Sequence, residues 1–184
     1  MRGTLKGLSG VYVEVSFDGA DDNTERVGLN QGVLQNFAEL RLRTAGVRVW
    51  TKEEHKKDSA TLRVRLAMYR RSEYRMEPFY AFHVNSELEQ GVRLTRAPDI
   101  YIYTRTWESI GWLGISGEGK VSKMVRKEVG DTLDHFVNDY LAANPKQSSS
   151  YPPIHAYTDF MMARAGDAEG ERGGALQAAA STVD

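Results

Sequence analysis

Residues 8–17, LSGVYVEVSF, place Val11, Val13, Val15 and Phe17 at every second position, with Tyr12, Glu14 and Ser16 between them. Period-two alternation marks a strand with one buried and one exposed face. The same pattern returns downstream. ATLRVRLAMY (60–69) alternates Leu62, Val64, Leu66 and Met68 with Arg63 and Arg65. Residues 80–94 do so with Tyr80, Phe82, Val84, Leu88, Val92 and Leu94 inward, and Gly91 is expected to mark a bulge there. IYIYTRTW (100–107) has high β-propensity, and VRVW (47–50) reads as a short strand.

Two stretches change to the helical period. From Leu29, the residues Val33, Leu34, Phe37, Leu40 and Arg41 recur at steps of three and four, which predicts a helix over roughly 30–45. Asn30 is its expected N-cap, and Ala45–Gly46 supplies a left-handed stop. The second stripe is longer. Val121, Val125, Val129, Leu133, Phe136, Val137, Tyr140 and Leu141 line one face over about six turns, until Asn144–Pro145 ends the helix. Residues 18–28, DGADDNTERVG, and 108–120, ESIGWLGISGEGK, read as loop and connector.

The order is β-α-β-β-β-β-α. A crossover helix between the first two strands implies parallel pairing there, and the short turns later imply antiparallel pairing. The expected fold is an α+β two-layer sandwich, a mixed, mostly antiparallel sheet with two helices on one face. Residues 1–146 form the single domain, 147–165 an extended arm and 166–184 a disordered tail. That tail has four glycines and five alanines and almost no large apolar group, too little to offset its ordering entropy.

Composition removes several functions. The 184 residues contain no cysteine, which excludes disulfides, thiolate catalysis and cysteine metal sites. Twenty-four basic against 25 acidic residues give a net charge of -1, so bulk attraction to nucleic acid is not expected to drive function. No apolar run is long enough for a transmembrane segment, and MRGTLKGLSG has no apolar h-region, so no signal peptide is expected at this start.

LKGLSGVYVEV, ELRLRTAGVRVW, ATLRVRL, LEQGVRLTR, TRTW and VGDTLDHFVNDYLAANP, taken in order over residues 4–146, resemble a family of small, uncharacterised bacterial exported domains. The element order is more distantly similar to the lipopolysaccharide-assembly lipoprotein and to auxiliary lipoproteins of envelope transport systems. The resemblance implies a periplasmic or extracytoplasmic place and a non-enzymatic role beside a membrane assembly. It carries no chemistry over, and the lipidated cysteine is missing here. A cytoplasmic place is the alternative.

Individual motifs weigh against catalysis. Gly114 to Lys120, GISGEGK, fits G-x-x-x-x-G-K, but Val121 stands where a phosphate loop needs the magnesium-binding hydroxyl. The motif also follows antiparallel-type strands, so it reads as a flexible strand-to-helix connector. His55, His83, His135 and His155 have no metal-ligand spacing among them. No catalytic residue, cofactor or metal is assigned.

Two surfaces remain. Residues 41–75 hold eleven Lys or Arg against four acids, with Arg63 and Arg65 on one strand face. That face either binds an anionic ligand or single-stranded nucleic acid, or is neutralised by Glu14, Glu87 and Glu89 on neighbouring strands. Tyr101, Tyr103 and Trp107 are expected on one face of the strand at 100–107, with Trp112 following. They are either open anchors for a partner or covered by the arm through Tyr151, Ile154, Tyr157 and Phe160. The leading expectation is a binding or scaffold domain, an accessory subunit of a cell-envelope assembly. It contacts a protein partner through Tyr103, Trp107, Trp112 and the arm, with Arg63 and Arg65 steering; a homo-oligomer is compatible with this reading.

Overall fold

In the computed structural model, residues 2–18, 22–55, 60–72 and 77–145 are described. The expected arm and tail, including Tyr151, Ile154, Tyr157 and Phe160, lie outside them.

A 3₁₀ turn, Arg2–Leu5, precedes strand β1, Val11–Asp18. A short helix α1, Asp22–Arg26, follows where a loop is expected, and then helix α2, Gln31–Thr44. Strands β2 (Val49–Trp50), β3 (Thr61–Arg71), β4 (Phe79–Leu94), β5 (Ala97–Glu108) and β6 (Trp112–Gly117) lead into helix α3, Glu118–Ala143. The sheet thus has six strands rather than five. Its order is β2-β1-β3-β4-β5, and β6 pairs with β4. β1 is parallel to β2 and β3, and β4 is antiparallel to β3, β5 and β6.

Helix α2 is bounded as its sequence predicts. Asn30 Oδ1 accepts from the amides of Gly32 at 2.8 Å and Val33 at 3.4 Å. At the other end Gly46 has φ +85°, and the amides of Gly46 and Val47 close onto the carbonyls of Arg43 and Leu42. These two bonds are a Schellman stop, which a side chain bearing Cβ would strain. The buried stripe is Leu34, Ala38 and Leu42; of the expected positions Leu34 is buried and Phe37 packs partly against the core, but Val33 and Leu40 face out.

The core lies between the two long helices and one face of the sheet. Val11, Val13 and Val15 of β1, Leu62, Val64, Leu66 and Met68 of β3, and Tyr80, Phe82, Val84 and Leu88 of β4 form the sheet side. Val121, Val125, Val129, Leu133, Phe136 and Tyr140 of α3 cover it, as the periodicity predicts. The C-terminus of α3 is tied down by Asn144, whose side chain accepts from the Gly7 amide and donates to the Leu5 carbonyl.

Two features of β4 and β5 depart from simple alternation. The register shifts between Leu88 and Glu89, where Leu88 faces Trp107 and Glu89 faces Arg105. Thr106 is the extra residue, and the bulge reverses the side on which Trp107 points. Gly91 is not the bulge. A Cβ there would come within 1.6 Å of Tyr101 Oη, so the glycine leaves room for that ring to cross the strand.

Candidate interaction surface

The face of the sheet opposite the helices is divided along its length, and the strand register shows how. At one end, Glu14, Arg63, Arg65, Glu87, Glu89 and Arg105 share neighbouring cross-strand positions. Arg63 donates to Glu14 at 2.9 Å and Glu89 at 2.8 Å, and Arg65 lies 2.7 Å from Glu87. Arg105 adds contacts to Glu87 at 3.4 Å and Glu108 at 2.7 Å. Burial opposes the charge of Arg63, but Glu14, Glu89 and Glu87 outweigh it and push the guanidinium pKa up. Arg63 and Arg65 are therefore matched by acids on the same face.

The other end is apolar. Tyr69, Ala81 and Ile115 are cross-strand neighbours on β3, β4 and β6, and Ala67, His83 and Leu113 form the next row. Tyr69 is 67%, Ile115 68% and Leu113 73% exposed. The two alanines leave a trough between larger side chains. The segment carrying Leu113 and Ile115 reads as a connector because three of its six residues are small. Yet Leu-Gly-Ile alternates with period two, and that is the signal the glycines mask.

β6 lies on the same edge of β4 as β5, end to end with it. Tyr80 pairs with Ser116 and Val84 with Trp112, while β5 takes Glu87 to Leu94. Gly114 is fixed by packing, since a Cβ there would reach the Phe82 ring at 2.4 Å. The G-x-x-x-x-G-K segment is therefore strand plus the first helical turn, not a flexible connector. It lies on an antiparallel strand, and its backbone through Gly117 is extended alongside β4 rather than curled into a phosphate cradle.

The aromatic residues separate into different roles. Trp107 is 1% exposed; it packs edge-on to Phe136 at 5.1 Å and donates through Nε1 to Asp139 at 3.0 Å. The expectation of a shared face with Tyr101 and Tyr103 fails because of the bulge. Tyr103 stays on the open face, partly exposed, in the stretch of the β4–β5 ribbon that extends past the last β3 pair at Glu89. Trp112 is 51% exposed on the helix side of β6. It borders a cavity of about 240 Å³ with Ile110, Lys127, Glu128, Asp131 and His135.

A larger cavity of about 480 Å³ adjoins it, lined by Arg2, Trp107, Ser109, His135 and Asp139 among others. Asp139 is buried there and accepts from Trp107 and from Arg2 Nε, with His135 Nε2 at 3.9 Å. Burial alone would raise its pKa; the bonds from Trp107 and Arg2, with the nearby His135, outweigh burial and hold it low. A carboxyl depressed in the folded state adds stability above its unfolded pKa, and that stability is lost as pH falls through the folded value. Wild-type protein should weaken below about pH 4. Asp139→Asn should be less stable at pH 7 and show a shallower acid limb in urea titrations from pH 7 to 2.

Among the described residues, His55 and Arg41 are also in structural contacts, while His83 is exposed on the open face and His155 lies outside them. His55 stacks obliquely on Tyr12 and lies 3.1 Å from Thr61 Oγ1, and Arg41 pairs with Asp134 across α2 and α3. No group of three or more metal-capable side chains occurs among the described residues, and no helix among them is long and apolar enough to cross a membrane.

The molecule is thus an α+β sheet-and-helix protein in which, among the described residues, no helix covers one face of the sheet. No family model and no curated protein matches the chain. Among solved structures it is similar to a minor lipoprotein from Acinetobacter baumannii, at 11% identity and a TM-score of 0.38 over 74% of this chain and 93% of that one. It is also similar to the rare lipoprotein B from Shewanella oneidensis, at 12% identity and 0.33, over 73% and 97%. A third is a neuraminyllactose-binding hemagglutinin homolog from Helicobacter pylori, at 9% and 0.39, over 79% and 93%.

Proposed function

We propose that this chain is a non-enzymatic protein-binding domain, an accessory subunit of a larger assembly at the cell envelope. The observation that carries the reading is the apolar end of the open face, where Tyr69, Leu113 and Ile115 stand exposed around Ala67 and Ala81. Apolar side chains grouped in this way on a sheet mark a contact surface more often than a solvated one. Trp112 stands on the helix side of the same strand, and Tyr103 is a separate exposed aromatic at the far end of the open face, beyond the charged cluster. The matched charges around Glu87 contribute orientation rather than binding energy, with Arg63 and Arg65 steering a partner into register. The extracytoplasmic placement rests on the resemblance of the segments over residues 4–146 to exported bacterial domains.

Cross-linking mass spectrometry after co-purification from native membranes tests the reading. Partner cross-links should map near Tyr69 and Trp112. A Leu113→Lys, Ile115→Lys variant should lose at least tenfold of the recovered partner while keeping its melting temperature, because both side chains are mostly in solvent. Recovery of the wild-type chain without any partner would overturn it. Arg63→Glu distinguishes the anionic-ligand alternative: loss of oligonucleotide binding in that variant would favour it, and no binding by the wild type at low salt ends it.

A further inference from the structure

β6 differs from the other exposed strand of this edge. Its sequence, Trp-Leu-Gly-Ile-Ser-Gly, has no charge and no proline, and among the described residues it pairs only with β4. Edge strands are usually protected by a lysine, a proline or a bulge, because their free amides and carbonyls template another strand. Here apolar groups flank the free edge on both sides of the sheet: Leu113 and Ile115 on the open side, Trp112 on the helix side. A ligand lying only on the open face would leave Trp112 uncovered. A strand added alongside β6 covers all three.

We propose that the strand added is β6 of a second copy of this chain, paired antiparallel about a twofold axis at Gly114. This deepens the binding reading above and rests on it. Three features select the second copy. First, β6 is self-complementary in this register. Leu113 of one copy stands beside Ile115 of the other on the open side, an apolar cross-strand pair, and Trp112 beside the small Ser116 on the helix side.

Second, the charges on α3 match. The Trp112 end of β6 borders Lys127, Glu128 and Asp131, while the other end of β6 runs directly into Glu118, Lys120 and Lys123. Lys127 bonds both Glu128 and Asp131 within its own copy and leaves that set one negative charge, which the twofold brings to the net positive charge of Glu118, Lys120 and Lys123. The helices come side by side as well. α3 covers β4 and, less fully, β6, so its twin lies between two and three strand spacings away, roughly 10–14 Å, within reach of long side chains from each helix.

Third, there is apolar surface at the free edge to cover. Ile110, Trp112, Leu113 and Ile115 are between 51% and 85% exposed; a second strand buries the flanks of these side chains that face the edge and leaves the tops of Leu113 and Ile115 on the open face.

The dimer would also enlarge the proposed docking face. With Leu113 beside the partner copy's Ile115, the row Tyr69–Ala81–Ile115 of one sheet continues into the row Leu113–His83–Ala67 of the other. One band, apolar except for His83, then crosses both open faces.

Sedimentation of the full chain from 1 to 100 μM should show a species of twice the 20.6 kDa chain mass, converted to monomer by Leu113→Lys, Ile115→Lys. The register is read with cysteines, which the wild-type chain lacks. On oxidation, a mixture of Leu113→Cys and Ile115→Cys chains should cross-link at least tenfold more than either variant alone. A wild-type monomer at 100 μM overturns the proposal. So does an Ile115→Cys variant that cross-links by itself as well as the mixture does. A monomeric wild type that still recovers its partner from membranes leaves the binding reading standing without the dimer, which separates the two failures.

Discussion

Phe136→Ala should lower the unfolding free energy by about 3–5 kcal/mol, the range for removing a fully buried aromatic from a packed core. Phe136 has no exposed surface; it meets Trp107 edge-on and stacks beside Tyr140 at 6.1 Å. It therefore joins the bulged end of β5 to the last turns of α3, and truncation opens a cavity where neither element can collapse freely. Urea denaturation at pH 7 should show the loss as a lower midpoint with an unchanged slope. At roughly 3 °C per kcal/mol for a domain of this size, the melting temperature falls by ~10 °C or more. Leu40→Ala on α2 is the control. Leu40 is 65% exposed, and its removal should cost less than about 0.5 kcal/mol. A loss below about 1 kcal/mol for Phe136→Ala would mean that the α3 stripe is not the main support of the sheet.

The stripe was readable because it is long. Eight apolar positions over six turns leave one helical face and one solution, and seven of them are in the core. In α2 the same reasoning found the helix and both of its caps but misplaced the face. Val33, Leu34, Phe37, Ala38, Leu40 and Leu42 offer two overlapping stripes, and only packing against β1 chooses Leu34–Ala38–Leu42. The acid partners of Arg63 and Arg65 were legible for a simpler reason: same-face residues on adjacent strands must meet once the strand order is known. β6 was hidden because its glycines mimic a loop. One of them, Gly114, is there to accommodate the Phe82 ring, a tertiary fact with no local trace. Where sequence parity and structure disagree most sharply is β5, since one inserted residue in a bulge moves every later side chain to the opposite face.

That reversal leads to a large contrast between the two tryptophans, which lie five residues apart. Trp107→Ala should cost about 3–5 kcal/mol, because it removes a buried ring from beside Phe136 and deprives Asp139 of its indole donor. Asp139 would then keep only Arg2 and the distant His135 to offset its burial. Trp107→Phe separates the two contributions: it retains most of the packing but not the N–H, and should fall between wild type and alanine while raising the Asp139 pKa. Trp112→Ala should behave oppositely. Half of its surface is already in water, and it is not in the core cluster, so its stability cost should stay below about 1 kcal/mol. Its effect should appear instead in association, as a loss of at least tenfold in partner recovery at an unchanged melting temperature. If Trp112→Ala unfolds the domain, or if Trp107→Ala leaves the fold intact and abolishes association, the assignment of Trp107 to the core and Trp112 to the contact surface is reversed. Sequence alternation alone would have grouped Trp107 with Tyr103; the bulge at Thr106 is what makes it a core residue, and deleting Thr106 should therefore turn Trp107 toward solvent and destabilise the protein as much as Trp107→Ala does.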